Sequence, residues 1–249
     1  MVLVMNVANE DITFGVYENE FWRMTSRIKT DSFRTEDQYA AELNVILGLY
    51  GIRATDITGA ILHSVSKIME GLLQRAIEKL AGISPVIAEN RIEEKLKMEF
   101  EDNEFLGIEM IAGCAVVAQE YTSACIVLNL EEEMTMVAID ETKKIKGGCI
   151  VPQTAFSFCT TNTTRFSKSR LKEFDTIIRN HKTDAVSSGL VYGTACMIDG
   201  LCQKMQEELG TVCNIVATGR LVPEVIKYCK REIVYCENLL LKGLKFLYE

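Results

Sequence analysis

This chain has little positive charge, few histidines and few breaks. It carries 27 Lys and Arg against 35 Asp and Glu, a formal net charge of −8, so no basic groove for nucleic acid or anionic membrane is expected. Only His63 and His181 supply imidazole, and none of the nine cysteines forms a Cys-x-x-Cys pair, which argues against a zinc site. The cysteines, an odd number set mostly within apolar runs, read as reduced core thiols of a reducing compartment. No run reaches the roughly 18 apolar residues of a membrane span, and the apolar start Met1–Met5 is too short for a signal-peptide core. The cytoplasm is therefore expected. No Pro-, Gly- or Ser-rich linker divides the chain, so any lobes should pack closely.

What is present is ordinary globular composition, 48% hydrophobic and 25% charged over 249 residues, enough for one large core or two lobes. An alternating, β-branched meander is expected over residues 1–23, with a helix over 36–51 and a buried strand over 59–65. A helix over 68–80, a short strand at 85–87, an acidic stretch at 89–105 and a helix over 108–120 complete the first half. Strands at 124–129, 134–140 and 144–151 open the second half. A polar stretch at 160–166, a long helix over 184–209, a strand at 214–217 and helices from Pro223 and over 237–247 follow. Each half opens with strand, tight polar turn, strand, which predicts an alternating α/β protein of two duplicated lobes.

The two turns have a specific composition. The first runs Asn6-Val7-Ala8-Asn9-Glu10 and the second Asn129-Leu130-Glu131-Glu132-Glu133. Phosphate-binding hairpins of actin-like ATPases carry Asp-x-Gly-(Thr) there, because Asp holds the metal shell and Gly lets backbone N–H groups approach phosphate.

With these turns, the chain resembles the type III pantothenate kinase family through Phe21-Trp22-Arg23, Arg34-Thr35-Glu36-Asp37-Gln38-Tyr39, and Gly147 to Pro152. The clearest matches are Ser188 to Gly193 with Ile198-Asp199-Gly200, Val216-Ala217-Thr218-Gly219, and Glu237 to Leu244. The similarity is collinear over essentially the whole chain. It implies two actin-like (ribonuclease H-like) lobes around an inter-lobe cleft, residues 1–121 and 122–249, the second carrying dimerisation helices. It also implies ATP, Mg²⁺ and K⁺ as cofactors, and transfer of phosphate to pantothenate in coenzyme A biosynthesis.

Carried over position by position, the resemblance puts nucleotide contacts at Asn6, Ala8, Asn9, Glu10, Glu131 and Glu132, and a monovalent cation at Asn129. Substrate contacts fall at Gly107, Ile108, Met110 and Lys182, with Thr183 adjacent, and the catalytic base at Glu109. The family's substrate loop aligns with Glu93-Glu94-Lys95-Leu96. Nearly all of these positions depart from the family's residues. Asn6 and Asn129 replace Asp, Ala8 and Glu131 replace Gly, and Glu10 and Glu132 replace hydroxyls. Glu109 is a methylene longer than Asp, Met110 stands where Arg would grip the substrate carboxylate, Gln153 follows Pro152 in place of Gly, and Arg220 replaces a second Gly after Gly219. A carboxylate about 4 Å from a phosphate charge costs roughly 4 kcal/mol at an effective dielectric of ~20; alternatively, Glu131–Glu133 is simply a solvated hairpin tip.

Losses confined to charged and glycine positions, with the framework kept, imply a folded family member impaired in catalysis. It would serve as a structural or regulatory partner in a homodimer, or in a heterodimer with an intact paralogue. The alternatives are an active kinase using Glu109 as base, and a cleft whose acidic residues take a cation or polyamine.

Overall fold

A computed structural model describes residues 1–92, 106–131, 133–152 and 175–249. The substrate-loop alignment at 93–96, Glu132, Gln153 and the polar stretch at 160–166 lie outside the described residues.

The chain divides into two compact units. The first comprises Met1–Val116 with Leu239–Glu249, and the second Val117–Asn238. The closing helix therefore belongs with the first unit, whereas the sequence reading placed it in the second half.

In the first unit, β1 (Val2–Val7), β2 (Asp11–Glu18) and β3 (Phe21–Lys29) form the expected meander. Strand β4 (Gly59–Ser64) and the two-residue β5 (Val86–Ile87) complete a five-stranded sheet ordered β3-β2-β1-β4-β5. The β1–β2 and β2–β3 pairs are antiparallel, and the β1–β4 and β4–β5 pairs are parallel. Alternation buries Leu3, Met5, Val7, Ile12, Phe14 and Val16 in one core with Tyr39, Leu43 and Leu47 of α1 (Glu36–Leu49). Helix α2 (Lys67–Ala81) adds Met69, Leu72, Leu73, Ala76 and Ile77. Thr35 starts α1 with a capping box, taking the Gln38 backbone N–H while its own N–H donates to the Gln38 side chain at 2.8 Å. Ser66 caps α2, and Gly82 closes it in the left-handed region at φ +70°.

Helix α3 (Ile108–Glu120) begins in this unit, and α6 (Leu239–Tyr248) closes it. They approach at glycine: a Cβ on Gly243 would lie 2.5 Å from the Gly113 backbone nitrogen. Tyr39, fully buried, and Trp22, set edge-on to Tyr17 at 5.2 Å, are framework aromatics.

The second unit repeats the plan. Strands β6 (Cys125–Leu130), β7 (Met134–Ile139) and β8 (Ile145–Val151) form a second meander. With β9 (Asn214–Thr218) and β10 (Val234–Tyr235) they make a sheet ordered β10-β9-β6-β7-β8. Here β6–β7 and β7–β8 pair antiparallel, while β6–β9 and β9–β10 pair parallel, so β6 stands in this sheet as β1 stands in the first. Helix α4 (Lys182–Leu209) buries Val191, Ala195, Ile198 and Cys202 in its core, and the short α5 (Val222–Val225) adds Val222 and Val225.

By length and composition alone α4 is also apolar enough to cross a membrane, with an 18-residue window of mean hydropathy 1.3, of which a third is buried. Scoring residue by residue misses it, because the window mixes Gly, Ser and Thr with Val, Leu, Ala, Cys and Met. Its buried face is occupied by the second core.

Candidate functional site

Both turns start from the same lattice position. Asn6 is the penultimate residue of β1, flanked by Thr13 on the antiparallel side and His63 on the parallel side. Asn129 is the penultimate residue of β6, flanked by Thr135 and Thr218. The shared topology therefore gives each unit an equivalent strand end, and both ends carry an uncharged amide.

In the first turn Ala8 and Asn9 adopt no positive φ. The loop closes instead through the Ala8 N–H donating to the Asp11 carbonyl at 3.0 Å, with the Thr30 hydroxyl on the Ala8 carbonyl at 2.9 Å. The alanine that replaces glycine is therefore accommodated without strain. Ala8, Asn9 and Glu10 are exposed, and the Glu10 carboxylate lies 3.8 Å from Lys29 Nζ.

Glu109 sits in the first turn of α3 and folds back over Gly107, where an added Cβ would lie 2.5 Å from its Oε1. Its Oε2 lies 2.8 Å from Nε2 of His63, an ion contact rather than an aligned hydrogen bond. The opposite ring nitrogen, Nδ1, is 3.2 Å from Oε1 of Glu89, in the 3₁₀ turn Ala88–Arg91. His63 is only 5% exposed. Burial alone would drive the imidazole towards its neutral form, but the contacts with Glu109 and Glu89 outweigh it and raise the pKa to about 9. Burial likewise pushes Glu89 up, and the imidazolium together with a backbone hydrogen bond holds its carboxyl below the usual range. His63 and Glu89 escaped the sequence reading. The available signal was a histidine inside a buried strand, which must find a polar partner, but nothing along the chain says which acid supplies it.

The remaining substrate positions scatter by environment. Gly107 is exposed, and its carbonyl accepts the N–H groups of Met110 and Ile111 at 3.0 Å. Ile108 is half-buried, and Met110 is 3% exposed, part of the helix face turned into protein. Lys182 is exposed as the first residue of α4, with Thr183 beside it.

In the second unit Glu131 is no free hairpin tip. Its Oε1 accepts the Arg220 backbone N–H at 2.8 Å, and its Oε2 lies 3.5 Å from Arg220 Nε. The Leu221 N–H donates to the Leu130 carbonyl at 3.3 Å, drawing the β6–β7 and β9–α5 turns together. Gly219, at φ +109°, makes that approach, since a Cβ there would lie 2.4 Å from the Leu130 carbonyl oxygen. Along the chain each of these residues stands as an isolated departure, and the only signal joining Glu131 to Arg220 is their opposite charge.

The described residues do not fit a magnesium shell. No group of three His, Cys, Asp or Glu among them is placed to hold a metal ion, and Asn6 brings no charge. Asn129 Oδ1 is buried without a hydrogen-bond partner, one neutral oxygen of the kind a monovalent cation accepts, but a single oxygen is not a cation site.

Comparison with known proteins places these features. Two units, each a five-stranded mixed sheet of the same topology, define the actin-like ATPase and sugar kinase fold. The activator of 2-hydroxyisocaproyl-CoA dehydratase from Clostridium difficile, solved with bound ADPNP, superposes with a TM-score of 0.55 at 10% identity, covering 99% of this chain and 93% of its own. The family model for type III pantothenate kinase matches residues 2–204, and the chain belongs to that family. The type III pantothenate kinase of Shouchella clausii is 28% identical, covering 100% of this chain and 99% of its own length. That of Finegoldia magna is 25% identical, covering 99% and 96%. Members of this family are ATP-using kinases.

Proposed function

We propose that this chain keeps the type III pantothenate kinase fold without carrying out efficient transfer of phosphate from ATP to pantothenate, and acts in the cytoplasm as a structural or regulatory dimer partner. The observation that carries this reading is the neighbourhood of Glu109. The carboxylate at the base position is engaged by a buried imidazolium, and Met110 beside it is turned into protein where the family presents an arginine. With Oε2 turned onto the His63 ring and the carboxylate folded back over Gly107, the side chain at the base position is committed to protein contacts, and nothing at Met110 would anchor a substrate carboxylate. The partner is a second copy or a paralogue with intact turns. Gly189, Gly193, Cys196 and Gly200 form an exposed small-residue stripe along α4, and among the described residues no atom beyond the helix's own adjacent backbone comes within 4 Å of a Cβ built on any of the three glycines.

A second reading is an active pantothenate kinase. The full-length likeness to curated relatives favours it, as does a carboxylate in the first turn of α3. Calorimetric titration with Mg·ATP and with pantothenate, at high K⁺, separates the two. No heat for either from a folded dimer fits the impaired partner, whereas binding of both followed by ADP release replaces it with the kinase.

A further inference from the structure

We infer that the Gly219–Arg220 turn is an anion-binding subsite whose resident ligand is the chain's own Glu131 carboxylate, so that the diphosphate part of a nucleotide is accepted there only when that carboxylate is removed. This deepens the impaired-kinase reading and rests on it.

The geometry is that of a bound anion. One carboxylate oxygen takes the Arg220 backbone N–H at 2.8 Å, and the other lies 3.5 Å from the guanidinium of the same residue. A backbone N–H and a guanidinium charge converging on one anion is how phosphate oxygens are gripped, although here, of the two, only the N–H makes a hydrogen bond. The placement is also enforced by backbone. The Leu221 N–H bonds the Leu130 carbonyl, and Gly219 at φ +109° leaves no room for a Cβ against that carbonyl, so the turns meet before the side chains do. Glu131 follows Leu130, and Arg220 follows Gly219, so their juxtaposition comes from the turn-to-turn contact. A phosphate arriving at this turn meets one donor already used and a negative charge in the way.

The pair is open to solvent, with side-chain exposures of 49% for Arg220 and 30% for Glu131. Solvated pairs of this kind contribute little to stability. The Arg220 pair therefore lends the fold little support, and in it the carboxylate acts as a competitor for anions.

The test is calorimetric titration of the full chain with pyrophosphate and with ADP, both in EDTA, for wild type, Glu131→Ala, Glu131→Gln and Glu131→Ala/Arg220→Ala. We expect both single variants to bind pyrophosphate and ADP at least about tenfold tighter than wild type, as befits one freed charge-assisted donor, and the double variant to lose most of that gain. Single variants that fold like wild type yet bind no tighter overturn the inference. So does unfolding of both, which would make Glu131 a structural support. A wild type that binds and turns over Mg·ATP overturns the impaired-kinase reading; if the Glu131 variants then bind tenfold tighter still, the subsite stands alone.

Discussion

Nε2 of His63 and Oε2 of Glu109 lie 2.8 Å apart, tying the penultimate residue of β4 to the first turn of α3. Asn6 occupies the neighbouring position on β1. The first unit thus places a protein cation, held between two carboxylates, beside the strand end where the family's metal-binding aspartate would stand. An aspartate at position 6 would add a third carboxylate to one imidazolium, so the loss of that acid and the presence of His63 are electrostatically consistent.

Stability should follow the titration of that imidazolium. His63 has its pKa raised from 6.5 to about 9, so its contribution is fully present below pH 6.5 and is lost as pH rises through about 9. At 1.36 kcal/mol per unit the shift is on the order of a few kcal/mol. The Tm of wild type should fall more steeply between pH 6.5 and about 9 than that of His63→Gln. Glu89, held low, acts on the other side: its contribution is lost as pH falls below the ordinary carboxylate range. Parallel pH profiles for the two proteins would show that the charge of His63 is not what the fold uses.

Replacing Glu109 should cost stability before it costs anything else. Glu109→Gln leaves a buried imidazolium with one carboxylate in place of two, and removing a partner from such a pair destabilises by roughly 3 kcal/mol or more when burial is complete. With the Glu109 side chain 19% exposed, about 1–3 kcal/mol is expected from urea unfolding at pH 7. A variant as stable as wild type would mean that solvent, not His63, neutralises Glu109.

Restoring the family's arginine at position 110 should fail. Met110 is 3% exposed, so Met110→Arg must either bury a guanidinium or displace the start of α3. The expected outcome is a loss of several degrees in Tm with no gain of pantothenate binding by calorimetry. A stable, pantothenate-binding variant would show that position 110 can face a ligand, which would favour the active-kinase reading.

The legible and illegible parts of this protein separate by range. Helix α3 was expected at 108–120 and occupies Ile108–Glu120, and both meanders were visible, because alternation and amphipathic periodicity are local. The two extra residues at the start of the long helix, from Lys182 rather than Asp184, are polar and carry no periodicity. The assignment of α6 to the first unit depends on its packing against β1 and β4, near the other end of the chain, a relation that no window along the chain contains. The site behaves likewise. Asn6, Ala8 and Glu131 could be seen as departures, since each is read against its own turn. That Glu131 meets Arg220 follows only from the pairing of β6 with β9, and that His63 meets Glu89 and Glu109 follows only from the pairing of β4 with β5 and the placement of α3.

Two glycines on helices should respond in opposite ways. A Cβ on Gly243 would stand 2.5 Å from Gly113 N and 2.6 Å from the Ala112 carbonyl carbon, both backbone, so α6 must move off α3 to admit it. Overpacking of this kind costs about 1–3 kcal/mol. On α4, a Cβ at Gly193 meets nothing within 4 Å among the described residues, and alanine there should raise helix stability by up to about 1 kcal/mol. If the small-residue stripe is where a second copy docks, Gly193→Ala holds the two helices apart. Its monomer then melts at or above the wild-type temperature while its dimer dissociates at higher protein concentration. Thermal melts and sedimentation equilibrium on the two variants separate these effects. Gly243→Ala is expected to lose several degrees in Tm, and Gly193→Ala to weaken association. A Gly193→Ala protein that self-associates like wild type would move the partner surface away from this stripe, leaving the packing of α6 on α3 unaffected.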